Sequence, residues 1–200
     1  DWRASFAFLT AFGPVALAAV VWALGETNLA PNKEAVRPSR LMRGYVSMFR
    51  DRRYLGYVLT ITFTYAGVFT FISGSAFVFI DLLGVAPDDY GLLFAIAIGG
   101  YGAGTLAASQ ISTRIGIDGM ITTGGLIACA STLGLAGFAW ADALTVWTIM
   151  GPVTAFTFGT GFVFPNCHAG AIMPYPHMAG TAAALMGSIQ MAVAALIGAM

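Results

Sequence analysis

Charge is what this sequence lacks. Lys, Arg, Asp and Glu together make up 9% of its 200 residues, against roughly 25% in soluble domains. Hydrophobic residues make up 58%, and the mean hydropathy is +0.81. A soluble protein of this length could not bury that much apolar surface, so the chain reads as an integral membrane protein. Cysteine is scarce too, with only Cys129 and Cys167, which gives no disulfide framework. There is no Asn-X-Ser/Thr sequon, no His-Glu-X-X-His, no phosphate-binding glycine loop and no Ser/His/Asp set. His168 and His177 share one segment, in which Cys167 directly precedes His168 but no carboxylate lies beside either. We therefore expect no catalytic group, no metal and no cofactor, and nothing suggests a nucleic-acid partner. Neither an initiator Met nor a signal peptide opens the chain, and Met200 falls inside an apolar run, so both ends read as points within a longer protein.

Long apolar runs are what the sequence does have. Six of them, at 6–24, 54–80, 91–111, 119–140, 144–165 and 180–200, contain no Asp, Glu, Lys or Arg. Each meets the roughly 20 residues that a helix needs to cross a bilayer. They are apolar on all sides rather than alternating, which favours helices over a barrel. The missing charge has a consequence. A charged group at the bilayer centre costs roughly 2.5–3.5 kcal/mol on insertion scales, so any proton-coupling carboxylate is expected outside this chain.

Seven of the nine basic residues fall between Lys33 and Arg53: Lys33, Arg37, Arg40, Arg43, Arg50, Arg52 and Arg53. By the positive-inside rule 25–53 is cytoplasmic. The 81–90 segment, with three Asp and no Lys or Arg, then lies on the outer side. Residues 40–53 carry Leu41, Tyr45 and Met48 or Phe49 on one helical face with arginines around the remainder. That pattern suits a short helix on the membrane surface, either as an anchor and linker or as a headgroup-binding element. Asp51, Asp88, Asp118 and Asp142 each lie shortly before a span, where a carboxylate caps free helical N–H groups.

Polar and aromatic residues inside the spans are the site candidates. They are Thr60, Thr64, Tyr65, Phe71 and Ser75 in the second run, and Phe94, Tyr101 and Thr105 in the third. Thr154 and Phe158 lie in the fifth and Gln190 in the sixth. Such faces suit a cavity for a weakly polar, drug-sized molecule. The competing reading is helix packing, with hydroxyls bonded to their own i−4 carbonyls. Thr122, Thr123, Ser131 and Thr132 in the fourth run read as packing. Gly100 and Gly104 form a GxxxG for close helix contact, and Gly159/Gly161 offer another. Pro165 is expected to end the fifth span.

Several segments resemble one family. Asp1-Trp2-Arg3 and Arg50-Asp51-Arg52-Arg53-Tyr54-Leu55-Gly56-Tyr57 resemble the starts of the sixth and seventh helices of major facilitator superfamily drug exporters. Three segments resemble their bicyclomycin-resistance (Bcr/CflA) branch: Tyr65-Ala66-Gly67-Val68-Phe69 with Ile72-Ser73-Gly74-Ser75, then Tyr90-Gly91-Leu92-Leu93-Phe94, and Phe164-Pro165-Asn166. The 179–185 stretch with Gln190 does so too. The resemblance implies an all-α major facilitator fold and helices six to eleven of twelve. Residues 1–24 would be the last helix of the first bundle, 25–53 the linker, and 54–200 five helices of the second bundle. It implies a cavity lined by 54–80, 91–111, 144–165 and 180–200, with 119–140 peripheral. It also implies a monomer in the bacterial inner membrane that exports small drugs by proton antiport and alternating access. Weighed beside it are an uptake carrier for a neutral metabolite, a membrane-embedded enzyme and a membrane scaffold.

Overall fold

A computed structural model describes residues 2–23 and 38–198. Asp1 and the Lys33–Arg37 part of the basic linker lie outside the described residues. The chain forms two units, 1–40 and 41–200. The first contains α1 (Trp2–Ala23), without a charged residue after Arg3, with Pro14 inside it and the rings of Phe8 and Phe12 stacked at 6.1 Å.

The second unit is a helical bundle. α2 (Pro38–Arg50), whose first three residues belong to the other unit, leads into α3 (Arg52–Ala76) with only Asp51 between them. Asp51 caps α3, its Oδ1 accepting from the backbone N–H of Arg53 at 2.8 Å and of Tyr54 at 3.4 Å. α3 then passes into a π-helical turn, Phe77–Leu82. α4 (Pro87–Trp140) begins on a proline whose missing N–H costs nothing at that position. It is broken at Gly116, where φ is 75°. That conformation suits glycine, and it divides α4 into two legs that meet the expected runs 91–111 and 119–140.

α5 (Val146–Ile172) starts on a capping box. Thr145 Oγ1 accepts from the Thr148 N–H while Thr148 Oγ1 accepts from the Thr145 N–H. The aspartates thus divide. Asp51 caps, Asp88 sits in the first turn of α4, and Asp142 occupies the turn before Thr145 at φ 49°. α5 also runs past Pro165, contrary to expectation. A proline forfeits one helical hydrogen bond. Here Asn166 Nδ2 donates to Phe162 O at 2.8 Å, and Cys167, Gly170 and Ala171 beyond it are buried. The last turns are held by packing on α3, where a Cβ at Gly170 would come within 2.8 Å of the Tyr57 ring. The chain turns at 173–175, makes a 3-10 turn (Pro176–Met178) and enters α6 (Ala179–Gly198).

Glycine sets the helix spacing. On α4, a Cβ at Gly100 would approach Thr154 O to 2.7 Å, and one at Gly104 would collide with the Phe158 carbonyl. Gly161 of α5 approaches the Thr105 N–H as closely, and Gly124 of the second leg faces Gly159. α5 is thereby seated between both legs of α4. Thr157 Oγ1 donates to Ala97 O at 2.7 Å across one of these contacts. α6 lies along α3 and parallel to it. Tyr54 OH donates to Ala182 O at 2.7 Å, and nearly the same sequence offset sets Gly198 against Phe69. Apolar cores form at both ends, around Tyr54, Val58, Val163 and Met186 at the basic end and around Phe79, Leu93 and Val153 at the acidic end.

Candidate functional site

The candidate residues separate into groups with different chemistry. The first group has spent its hydroxyls locally. Thr60 donates to Gly56 O at 2.8 Å, Thr64 to Thr60 O at 2.8 Å and Thr105 to Tyr101 O at 3.0 Å. Thr122, Thr123, Ser131 and Thr132 do the same along the second leg of α4. These bonds satisfy the donor where lipid cannot.

A second group gathers at the acidic end. Phe71 stacks on Phe94 at 5.9 Å, and Ser75 shares a 2.8 Å hydrogen bond with Tyr90. Tyr90 also meets Phe79 and Phe94. Tyr90 was not among the expected residues, although its spacing of four from Phe94 is legible. Phe71 and Ser75 line a cavity of ≈ 470 Å³ between α3, the second leg of α4 and α5. Its hydroxyls at Ser131, Thr132 and Thr157 all point to backbone carbonyls, so it offers an apolar space. Thr154 and Phe158 instead edge an apolar groove where α5 meets α4.

The third group is a convergence from three helices. Tyr65 of α3 and Tyr101 of α4 both pack on Phe164 of α5, with ring centroids 6.3 and 6.0 Å apart. Phe69 extends the row from Tyr65 at 6.4 Å. Among the described residues, neither phenol bonds a protein group. Each tyrosine lies about 20 Å along its helix at 1.5 Å per residue, near the middle of a hydrocarbon layer about 30 Å thick. Phe164 was missed as a site residue, because Pro165 beside it was read as the end of the span.

Gln190 is 7% exposed, and its Nε2 has no partner among the described residues. The offset of 128 between Tyr54 and Ala182 also separates Thr62 from Gln190. Thr62 Oγ1 is the other buried polar side-chain atom without a partner among the described residues. Two orphaned groups therefore sit level in the seam between α3 and α6, about one turn from Tyr65. Thr62 too was missed by the sequence reading.

The basic end is tied by phenols. Tyr57 OH donates to Asp118 Oδ1 at 2.7 Å, joining α3 to the chain just beyond the Gly116 break. Tyr175 OH donates to Asp51 Oδ2 at 2.7 Å. That bond above all holds the Asp51 carboxyl below its ordinary range; burial opposes it, and the backbone donors of Arg53 and Tyr54 add to the lowering. Burial first, then the bond to Asp51, pushes the Tyr175 phenol up to about 12. This end of α3 is clamped to both α4 and the start of α6.

The family model described as Major Facilitator Superfamily matches residues 1–199. The chain belongs to the major facilitator superfamily. It is a multi-pass membrane protein with five described helices long and apolar enough to span a bilayer, one of them the two-legged α4. It is 28% identical over 98% of its length to the bicyclomycin resistance protein homolog of Haemophilus influenzae, covering 49% of that protein. It is 28% identical over 95% of its length to multidrug resistance protein D of Escherichia coli, covering 47%. A Bacillus subtilis protein named as an uncharacterized MFS-type transporter is 30% identical over 76% of the chain and matched over 37% of its own length. The chain thus spans about half the length of these curated relatives. No solved structure gives a significant match. Membership sets the membrane-embedded enzyme aside, since the superfamily is one of transporters.

Proposed function

We propose that this chain supplies helices six to eleven of a twelve-helix drug exporter of the bacterial inner membrane. In this reading Tyr65, Tyr101 and Phe164 form one wall of its substrate cavity. One observation carries it: two phenol hydroxyls near mid-membrane depth have no partner among the described residues. Tyrosine that faces lipid belongs at the headgroup level. A polar group deeper than that turns to the bundle interior or to a water-filled cavity, and substrate sites of secondary transporters lie near the midplane. A wall of aromatic rings with two donor-acceptor hydroxyls and no charge suits a neutral or amphiphilic molecule of drug size. The resistance named for the two 28%-identical relatives fits the same substrate class.

Thr60, Thr64 and Thr105 border this wall with their lone pairs only, and Gln190 supplies an amide one turn toward the basic end. Proton antiport fits the family, with the titrating group outside these spans. The basic linker 25–53 faces the cytoplasm and 81–90 the periplasm. The transporter works as a monomer whose bundles rock about the midplane.

The test uses the full-length protein. Tyr65→Phe and Tyr101→Phe keep the ring and remove the hydroxyl, and Phe164→Ala removes the surface both rings rest on. Efflux per molecule is measured on a panel of neutral and cationic drugs, beside membrane abundance. Losing one hydrogen bond of about 0.5–1.5 kcal/mol lowers apparent affinity roughly two- to ten-fold. Normal abundance with unchanged efflux of every drug in all three variants would remove the wall from the substrate path. Uptake rather than export of a neutral metabolite in the same vesicles would favour the carrier reading.

A further inference from the structure

α2 has two apolar faces, and only one is used. Gly44 and Met48 are buried, Gly44 close to the Met178 side chain and Met48 within the core that holds Tyr54 and Val58. The expected single face of Leu41, Tyr45 and Met48 or Phe49 is thereby divided. Met48 packs into the bundle, whereas Phe49 lies on the other side of the helix. There Met42, Val46 and Phe49, spaced four and three apart, are 65%, 44% and 49% exposed. At 100° per residue these three fall within one narrow stripe, and Arg43 and Arg50 lie directly along its edge. Both arginines are exposed and pair with no described residue. Arg52 and Arg53 follow at the start of α3, also exposed.

We propose that this face of α2 docks on anionic phospholipid of the leaflet at which α3 enters the membrane. Three facts select that occupant. α2 runs into α3 through the single residue Asp51, and α3 is long and apolar enough to span the bilayer from Arg52. The end of α2 is therefore held at the depth of the headgroups. An apolar stripe edged by arginines matches that boundary, with Met42, Val46 and Phe49 against the upper acyl chains and the guanidinium groups reaching the phosphates. The charge is complementary: Arg43 and Arg50 lie exposed here with no carboxylate among the described residues paired to them, and anionic leaflets attract such groups. The clamp at Asp51 fixes the rotation of α2, so the lipid-facing stripe is held in place by Gly44 and Met48 behind it.

The experiment places an NBD fluorophore at Val46→Cys in the full-length protein, in a background cleared of other reactive thiols. The protein is reconstituted into nanodiscs of phosphatidylcholine with or without phosphatidylglycerol. The expected result is quenching by brominated phosphatidylglycerol that exceeds quenching by brominated phosphatidylcholine by roughly five-fold for each arginine engaged, with little quenching by iodide in the water. Arg43→Gln with Arg50→Gln should bring the two lipids level and leave the melting temperature unchanged, since both arginines are exposed and neither pairs with a described residue. A label at Asp88→Cys should show no headgroup preference. Quenching by iodide alone would mean the stripe faces water. Quenching by neither agent would mean that another part of the protein covers it. Equal quenching by both lipids, unaffected by the arginine changes, would leave an apolar contact without headgroup recognition. Each of these three results overturns the proposal.

Discussion

The hydroxyl of Tyr175 donates to Asp51 Oδ2 across 2.7 Å, 124 residues along the chain. Asp51 is thereby the cap of α3 and an anchor for the turn before α6. Its carboxyl is held below the ordinary 3.8, and the Tyr175 phenol is raised to about 12. The signs follow. A depressed carboxyl contributes stability above its unfolded value, lost as pH falls through the folded one. A raised phenol contributes stability that is whole below about 10 and lost as pH climbs toward 12. The clamp should be insensitive to pH across the neutral range. Spectrophotometric titration of wild type against Tyr175→Phe should show this phenol ionising late. Asp51→Asn should bring its ionisation only part of the way back, because burial is the larger cause. A full return would put the carboxylate, not burial, first.

Glycine contacts between α4 and α5 give a stability prediction with its own control. Gly104→Ala places a methyl group on the Phe158 carbonyl, and backbone cannot step aside as a side chain can. Overpacking of this kind costs about 1–3 kcal/mol. Gly102→Ala, two residues away, meets nothing within 4 Å and should be neutral or slightly stabilising in a helix. Thermal melts of the two variants in detergent should differ by several degrees, and equal melting would mean the helices lie further apart.

Gln190→Leu removes an amide whose Nε2 has no partner among the described residues. Replacing an unpaired buried polar group with an apolar one of similar size should hold or raise stability. We expect normal abundance together with a several-fold fall in efflux by the full-length protein. Unchanged efflux across several drugs would take Gln190 out of the site. A sharp loss of abundance would show that the amide is a structural link, with Thr62 as the facing group.

Topology is open to direct labelling. An impermeant thiol reagent added to intact cells should reach Asp88→Cys and leave Arg43→Cys unmodified, because the basic segment is held inside. Labelling at 43 and protection at 88 would reverse the orientation.

The sequence by itself determined the class and the long apolar helices. Each of these is a local or summed property: about 20 apolar residues are enough for a helix to cross a bilayer, whatever it packs against. The cap at Asp51 was legible for the same reason, since a cap bonds its own first turn. Gly100 and Gly104 were legible as small residues, but not as neighbours of α5. Tertiary structure alone decided the rest. Pro165 does not end α5, because burial of Cys167 and Ala171 and the contact of Gly170 with Tyr57 hold the helix beyond it. Thr60 and Thr64 bond carbonyls of their own helix while Thr62 between them is buried with no partner among the described residues, a difference that no local pattern encodes. Phe164 joins Tyr65 and Tyr101 from 99 and 63 positions away, and no periodicity within one helix encodes a meeting of three. In an almost uncharged sequence, apolarity places every long helix in the membrane, but it cannot say which faces meet. The fit of side chains between helices makes that choice.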